Sequence, residues 1–303
     1  MSTDGLQVVS SFFDLAPKLR STFEQKFSRP LTATEDRFVW DYWYVENQYK
    51  LIRTPAEYFF PADLFQSWVE AMSLWGQQNL GCPGLSQPWL SYYVDGCYQN
   101  IHADIPQGPW AYVYALNAEP KPFQGGDTFI AKPNLLDYWW GYSDEVGQER
   151  GDLYSYVPVE FNQLTVFDPS YPHGVTPVRG PENPLDGRLV MHGWFTYPEV
   201  SIEGVDTEAA ATFLNTQFFP KLFSELENYP ALVGFMAVEV NTDQQGQVTN
   251  VLIKSPSLKS PERELEWIQD APQLIAEFCQ KQIFPQPEDD QATWYLPLRF
   301  SAG

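Results

Sequence analysis

Residues 88–104, PWLSYYVDGCYQNIHAD, decide how this chain is read. Short aromatic and β-branched runs broken by Gly, Pro and Asp mark strands rather than helices. The same texture returns in WAYVYALN (110–117), NQLTVFD (162–168) and RLVMHGWF (188–195), so a β domain is predicted from about residue 88. Within the opening stretch, His102 and Asp104 stand two apart. Strand geometry sends side chains i and i+2 to one face, so an imidazole and a carboxylate can converge on a single ion.

The chain has only three histidines, His102, His173 and His192, which leaves few ways to build a histidine site. His173 lies in a second strand-like segment, VFDPSYPHGVTPV (166–178). Two histidines and one carboxylate on one face of an octahedral ion leave positions open, as Fe(II) needs when it binds an organic cosubstrate together with O₂. A closed structural zinc site would require a fourth protein ligand, and none is evident. His102, Asp104 and His173 are the candidate metal set, beside the reading of an isolated H-x-D as ordinary surface or turn residues. His192 shares a strand face with Arg188, Val190 and Trp194, and is read as a substrate contact or as a hydrogen-bonded packing residue.

Outward from this core, residues 11–27 and 63–80 carry apolar side chains at helical spacing and predict packing helices, with Leu64, Trp68, Met72 and Trp75 on one face of the second. Asp63 is expected to cap that helix, and Gly81 before Pro83 to end it. Beyond Tyr197 come a helical stretch near 207–227, GFMAVEVNT (234–242), QVTNVLIKS (247–255), a helical stretch near 262–281, and TWYLPLRF (293–300). That order predicts a hairpin, a helix and a closing strand. A chain of 303 residues is long for one core. Two domains are expected, with the boundary between 198 and 210, giving 1–203 and 204–303. Two aromatic clusters, FVWDYWYV (38–45) and DYWWGY (137–142), read either as a pocket rim or as core closure.

With 18 basic against 39 acidic side chains the net charge is -21, which repels phosphate backbones and anionic lipid. Nucleic acid and membrane surfaces are excluded as expected partners. Three well-separated cysteines, Cys82, Cys97 and Cys279, form no C-x-x-C pair and predict buried reduced thiols. No run approaches membrane-spanning length, and the first residues lack a basic region followed by an apolar one, so a cytoplasmic location is expected.

These residues together resemble the iron(II)/2-oxoglutarate dioxygenases, in particular the prolyl 4-hydroxylase-like branch, over about residues 88–197. The resemblance rests on Tyr93, Gly96, His102 and Asp104 in the first metal strand and on YALN ending at Asn117. It continues through Gly125, Gly126, Asp127 and Thr128, and through His173, Val175, Pro177, Val178, Gly187, Arg188, Trp194 and Phe195. It implies an α+β chain built on a double-stranded β-helix, or jelly roll, with N-terminal packing helices and iron at its open end. It further implies Fe(II), 2-oxoglutarate and O₂ as cofactors, and hydroxylation of an unactivated C–H bond with release of succinate and CO₂. The substrate would be an amino acid, a peptidyl residue or a small natural product. Arg188 would pair with the distal carboxylate of 2-oxoglutarate, since an always-ionised guanidinium fork matches a carboxylate. Tyr93 would add a phenolic hydrogen bond. Arg179, six residues after His173, is the competing anchor, because Arg188 stands fifteen after the histidine and assumes the insertion RGPENPLD. Retention of Asp104 implies hydroxylation rather than halogenation.

Residues 231–300 resemble the C-terminal domain of TonB-type proteins, a small α+β domain, with a turn at Gly246 and a final aromatic strand. The resemblance implies either partner binding through an edge strand or a packing and dimerisation module. Two alternatives stand beside hydroxylation: a non-catalytic binding protein using both modules for recognition, and desaturation or cyclisation at the same iron centre.

Overall fold

The computed structural model describes residues 5–28, 40–104, 107–132, 153–262 and 264–301. The chain divides into two compact units, one of residues 1–74 and 83–196, the other of residues 75–82 and 197–303. Among the described residues no helix is long and apolar enough to cross a membrane.

The first unit is an antiparallel sheet whose strands are β1 (Leu6–Val9), β2 (Asp41–Val45), β3 (Tyr49–Pro55), β4 (Trp89–Tyr93), β5 (Tyr98–His102), β6 (Trp110–Ala115), β7 (Thr128–Ala131), β8 (Tyr154–Val157), β9 (Leu164–Phe167), β10 (His173–Val175) and β11 (Arg188–Phe195). Their hydrogen-bonded order is β1-β9-β6-β11-β4-β3-β5-β10-β7-β8, with β2 also paired to β3. Arg188 on β11 donates to the Gly126 carbonyl at 2.8 Å and to Thr128 Oγ1 on β7 at 3.3 Å, although β7 lies five steps away in that order. In a flat sheet five steps would separate them by roughly 24 Å. The sheet is therefore curled into a half-barrel, and its concave face encloses a cavity.

Side-chain size along β6 explains how the curl is filled. Trp110, Tyr112 and Tyr114 are buried, and the rings of Tyr112 and Tyr114 meet Trp68 of α3 (Ala62–Leu80) at 6.1 and 5.8 Å. The alternate residues, Ala111 and Val113, line the cavity, and Tyr112 between them touches its wall. Large groups face the helix and small ones the hollow, as a strand period of two dictates. On β11 the same alternation buries Leu189, Met191 and Phe195 and turns Arg188, Val190, His192 and Trp194 to the cavity. Leu64, Trp68 and Met72 of α3 are buried as their spacing predicts, and truncation of Trp68 to alanine is expected to cost about 3–5 kcal/mol.

Local expectations are adjusted at several points. The first helix, α1, begins at Ala16 (Ala16–Phe27), β1 precedes it on β9, and a short α2 (Ala56–Phe59) stands before α3. Pro17 sits in its first turn, where a missing N–H costs nothing, and the chain before it takes strand geometry instead. Asp63 stands inside the first turn of α3 rather than at the cap, where its charge favours the helix N-terminus. Gly81, with φ +71°, ends that helix as expected. Of the two aromatic clusters, DYWWGY and the first two residues of FVWDYWYV lie outside the described residues. Trp40 closes core, with ring contacts to Phe27, Phe59 and Tyr92, whereas Trp43 lines the cavity.

The second unit holds a four-stranded antiparallel sheet ordered β12-β15-β13-β14, from β12 (Ser201–Glu203), β13 (Val233–Asp243), β14 (Val248–Lys259) and β15 (Gln291–Phe300). Met236, Val238 and Val240 of β13 and Trp294, Leu296 and Leu298 of β15 share one buried face with Ile275 and Phe278 of the helix Leu265–Gln280. The stretch expected as one helix near 207–227 contains a π segment at Leu214–Phe218, ahead of Pro220 in the next helix, Phe219–Leu226. Widened turns of this kind recur where regular helical bonding is interrupted.

Candidate metal centre

His102 closes β5 and His173 opens β10, and the two face each other in register across the ladder. Their rings lie 4.4 Å apart. Asp104, just beyond β5, is held by its backbone N–H donating to the Pro169 carbonyl at 2.9 Å. Its Oδ2 lies 3.5 Å from His173 Nε2 and 3.9 Å from His102 Nε2. One ligand atom from each of the three residues falls within 4.8 Å of the others.

Hydrogen bonding sets the tautomers. His102 Nδ1 lies 2.7 Å from the Asn100 carbonyl, and His173 Nδ1 lies 2.9 Å from the Tyr171 carbonyl. A carbonyl only accepts, so each Nδ1 carries the proton and each Nε2 presents a lone pair toward Asp104. Burial and the neighbouring His173 both lower the His102 pKa, which keeps that ring neutral. Burial works against ionising Asp104, but the neighbouring His173 and His102 rings outweigh it and hold the carboxyl below its usual range. Two imidazoles and one carboxylate thus converge with donor atoms ready for a cation, and the arrangement fits a divalent metal held on one face.

Arg188 lies on the wall of the same cavity, which has a volume of about 270 Å³. Only 1% of it is exposed, its guanidinium carbon lies 4.6 Å from the Tyr93 ring centre, and Tyr93 stands opposite it in register. Among the described residues no carboxylate makes an ion pair with it; its hydrogen bonds run to the Gly126 carbonyl and Thr128, with the Tyr93 ring beside it. Burial opposes its charge, and Tyr93 and Asp127 oppose that effect. Gly126, with φ +73°, lets its carbonyl reach this guanidinium, and a Cβ there would come within 3.0 Å of Arg188 Cδ. Burial raises the Tyr93 pKa, so its phenol stays protonated. Arg179 is exposed, pairs its backbone with Gln124 and is not among the residues lining the cavity.

His192 lines the cavity, with Nε2 2.8 Å from Ser91 Oγ. Burial, with Arg188 and Arg53 nearby, brings its pKa down to about 3. Asn117 is a brace: its Oδ1 accepts from the Leu189 N–H at 2.9 Å and its Nδ2 donates to the Val159 carbonyl at 3.1 Å. Sequence reasoning missed Arg53, which lines the cavity beside Trp43. The signal was present in YKLIRTP (49–55), where Tyr49, Leu51 and Arg53 alternate onto one strand face.

No family model and no curated protein matches the chain. Among solved structures, the chain is similar to a Pseudomonas putida prolyl-4-hydroxylase, at 19% identity over 65% of this chain and 95% of that one, with a TM-score of 0.43. It is also similar to a Trichoplax adhaerens prolyl hydroxylase in complex with a hypoxia inducible factor peptide fragment, at 13% identity over 64% and 84% and a TM-score of 0.43. A third likeness is to HygX from Streptomyces hygroscopicus with nickel, 2-oxoglutarate and hygromycin B bound, at 12% identity over 65% and 86% and a TM-score of 0.42.

Proposed function

We propose that this chain is a non-haem Fe(II) oxygenase that uses 2-oxoglutarate and O₂ to hydroxylate a small organic or peptidyl substrate. The observation that carries the reading is the pairing, in one cavity, of a His102–Asp104–His173 cluster with Arg188, a buried guanidinium that has no carboxylate partner among the described residues. A lone buried charge is costly unless something of opposite sign meets it. A dicarboxylate bridging metal and arginine would satisfy both ends.

In this reading His102, Asp104 and His173 hold Fe(II). When bound, iron with 2-oxoglutarate and O₂ supplies oxidation of an unactivated C–H bond, releasing succinate and CO₂. The chain's own residues do the positioning. Arg188 takes the distal carboxylate, and the protonated Tyr93 phenol, whose ring centre lies 4.6 Å from the Arg188 guanidinium carbon, donates to the same carboxylate. His192 stays uncharged beside Ser91 and takes up no proton near neutral pH, which makes it a polar wall rather than a base. Val190 and Phe167 line the cavity with apolar surface and keep water from the reacting carbon.

The jelly-roll assignment for residues 1–203 and a packing or dimerisation role for a TonB-like 204–303 belong to the same proposal. Supporting the first is the curled antiparallel sheet; supporting the second is a small four-stranded sheet backed by helices.

The test is turnover. Purified protein with Fe(II), 2-oxoglutarate and O₂ should form succinate slowly without substrate and faster with it, and His102→Ala should abolish both. Folded protein that forms no succinate under any of these conditions would defeat the reading. Product mass then separates outcomes, since hydroxylation adds one oxygen and desaturation or cyclisation removes two hydrogens.

A further inference from the structure

The cavity holds a second arginine that the metal and cosubstrate do not use. Arg53 lies on β3 opposite Ser91 and lines the cavity with the triad and Arg188. Its guanidinium carbon sits 3.6 Å from the Trp43 ring centre and 3.9 Å from the Trp89 ring centre. Indoles on both faces leave only the guanidinium edge to make hydrogen bonds.

That edge is underused. Arg53 Nε is buried and has no hydrogen-bond partner, and among the described residues no carboxylate forms an ion pair with Arg53. Asp41 stands across from it in register on β2 and attracts it without reaching ion-pair distance. Leaving a buried donor unmet costs about 1–3 kcal/mol. Arg53 is also placed away from the deep end: Arg188 is 1% exposed, whereas Trp43, the ring over Arg53, is 38% exposed.

Charge points the same way. A metal dication, the Asp104 carboxylate, the Arg188 cation and a dianionic 2-oxo acid sum to zero. Arg53 adds a further positive charge, which Asp41 attracts from beyond ion-pair distance. A group with one negative charge is what would complete the site.

We infer that the molecule oxidised here carries a carboxylate, which the edge of Arg53 grips in the plane set by Trp43 and Trp89. This specificity determinant rests on the oxygenase reading above. A planar carboxylate can accept two parallel N–H bonds from that edge, and the two indoles prevent any approach from above or below. The corresponding amide, without the charge, would be rejected.

Acetate and acetamide are suitable probes, being small enough to enter whatever the rest of the substrate is. Protein carrying Zn(II) in place of iron is first saturated with 2-oxoglutarate, and that binding is measured by calorimetry. Each probe is then titrated while the Arg53 Nε–H signal, assigned by its loss in Arg53→Lys, is followed by nuclear magnetic resonance. Acetate should move the signal and acetamide should not, and Arg53→Met should weaken acetate binding roughly tenfold or more while 2-oxoglutarate binding stays at its wild-type level. Arg53→Lys, which keeps the charge but loses the fork, should be weakened as well. Acetate that fails to shift the signal, or that binds Arg53→Met as well as wild type, overturns the inference and leaves the oxygenase reading intact. Failure of wild-type protein to bind 2-oxoglutarate in the first step counts against that reading instead.

Discussion

A histidine that donates Nδ1–H to a backbone carbonyl can use only Nε2 as a ligand, and both His102 and His173 are held in that state. Arg188 is the other decisive residue, because its fork is buried and aimed into the same cavity. Replacing it with methionine keeps most of its volume and removes the charge. Two charge-assisted bonds at about 1.5 kcal/mol each predict that Arg188→Met weakens 2-oxoglutarate on the order of 100-fold, measured calorimetrically, with metal affinity little changed. Arg179→Met should have no such effect. His192 supplies a pH prediction. Its pKa falls from 6.5 to about 3 on folding, so the folded state resists its protonation. Stability linked to this group is complete above pH 6.5 and is lost as pH falls from there toward 3. Urea unfolding followed across that range should show wild type losing stability relative to His192→Gln as pH drops. Parallel profiles would contradict it.

At the scale of elements, β10 matters most, since three residues carry His173 between β5 and β7. Gly174 makes that possible: a Cβ there would lie 2.5 Å from Phe129 Cζ and 2.6 Å from the Gln99 carbonyl. Gly174→Ala should cost about 1–3 kcal/mol in urea unfolding and weaken divalent-metal binding, because relief of the clash must shift β10 against its neighbours. Asn117→Ala should cost a similar amount without touching metal affinity, since it leaves one buried N–H and one buried carbonyl unmet. The strands β4, β6, β9 and β11 were legible because their aromatic and β-branched runs are broken off by Gly, Pro and Asp. Short strands were not: β1, β8 and β12 span three or four residues, too few for a period to emerge. The β2–β3 hairpin showed as an aromatic cluster whose role was open, because only the pairing of Trp43 with Leu51 turns its ring toward Arg53 and the cavity.

For the whole molecule, the reading of the site rests on closure of the sheet, which no local pattern reports. Spacing brought His102 next to Asp104, but their meeting with His173 depends on β10 pairing with β5, and the approach of Arg188 to Gly126 and Thr128 depends on the curl. Any ligand that binds the folded chain alone stabilises it by mass action, about 2.7 kcal/mol at a hundred times its dissociation constant. Mn(II) with 2-oxoglutarate should therefore raise the melting temperature by roughly 5–10 °C, and the rise should vanish in His102→Ala. The central claim is that one cavity holds the metal and the 2-oxo acid together. Anaerobic addition of Fe(II) and 2-oxoglutarate to the folded protein tests it most directly. The account predicts a weak visible charge-transfer band that needs both components, disappears in His173→Ala, and requires far more 2-oxoglutarate in Arg188→Met. A folded protein that shows no band and binds neither component would contradict it.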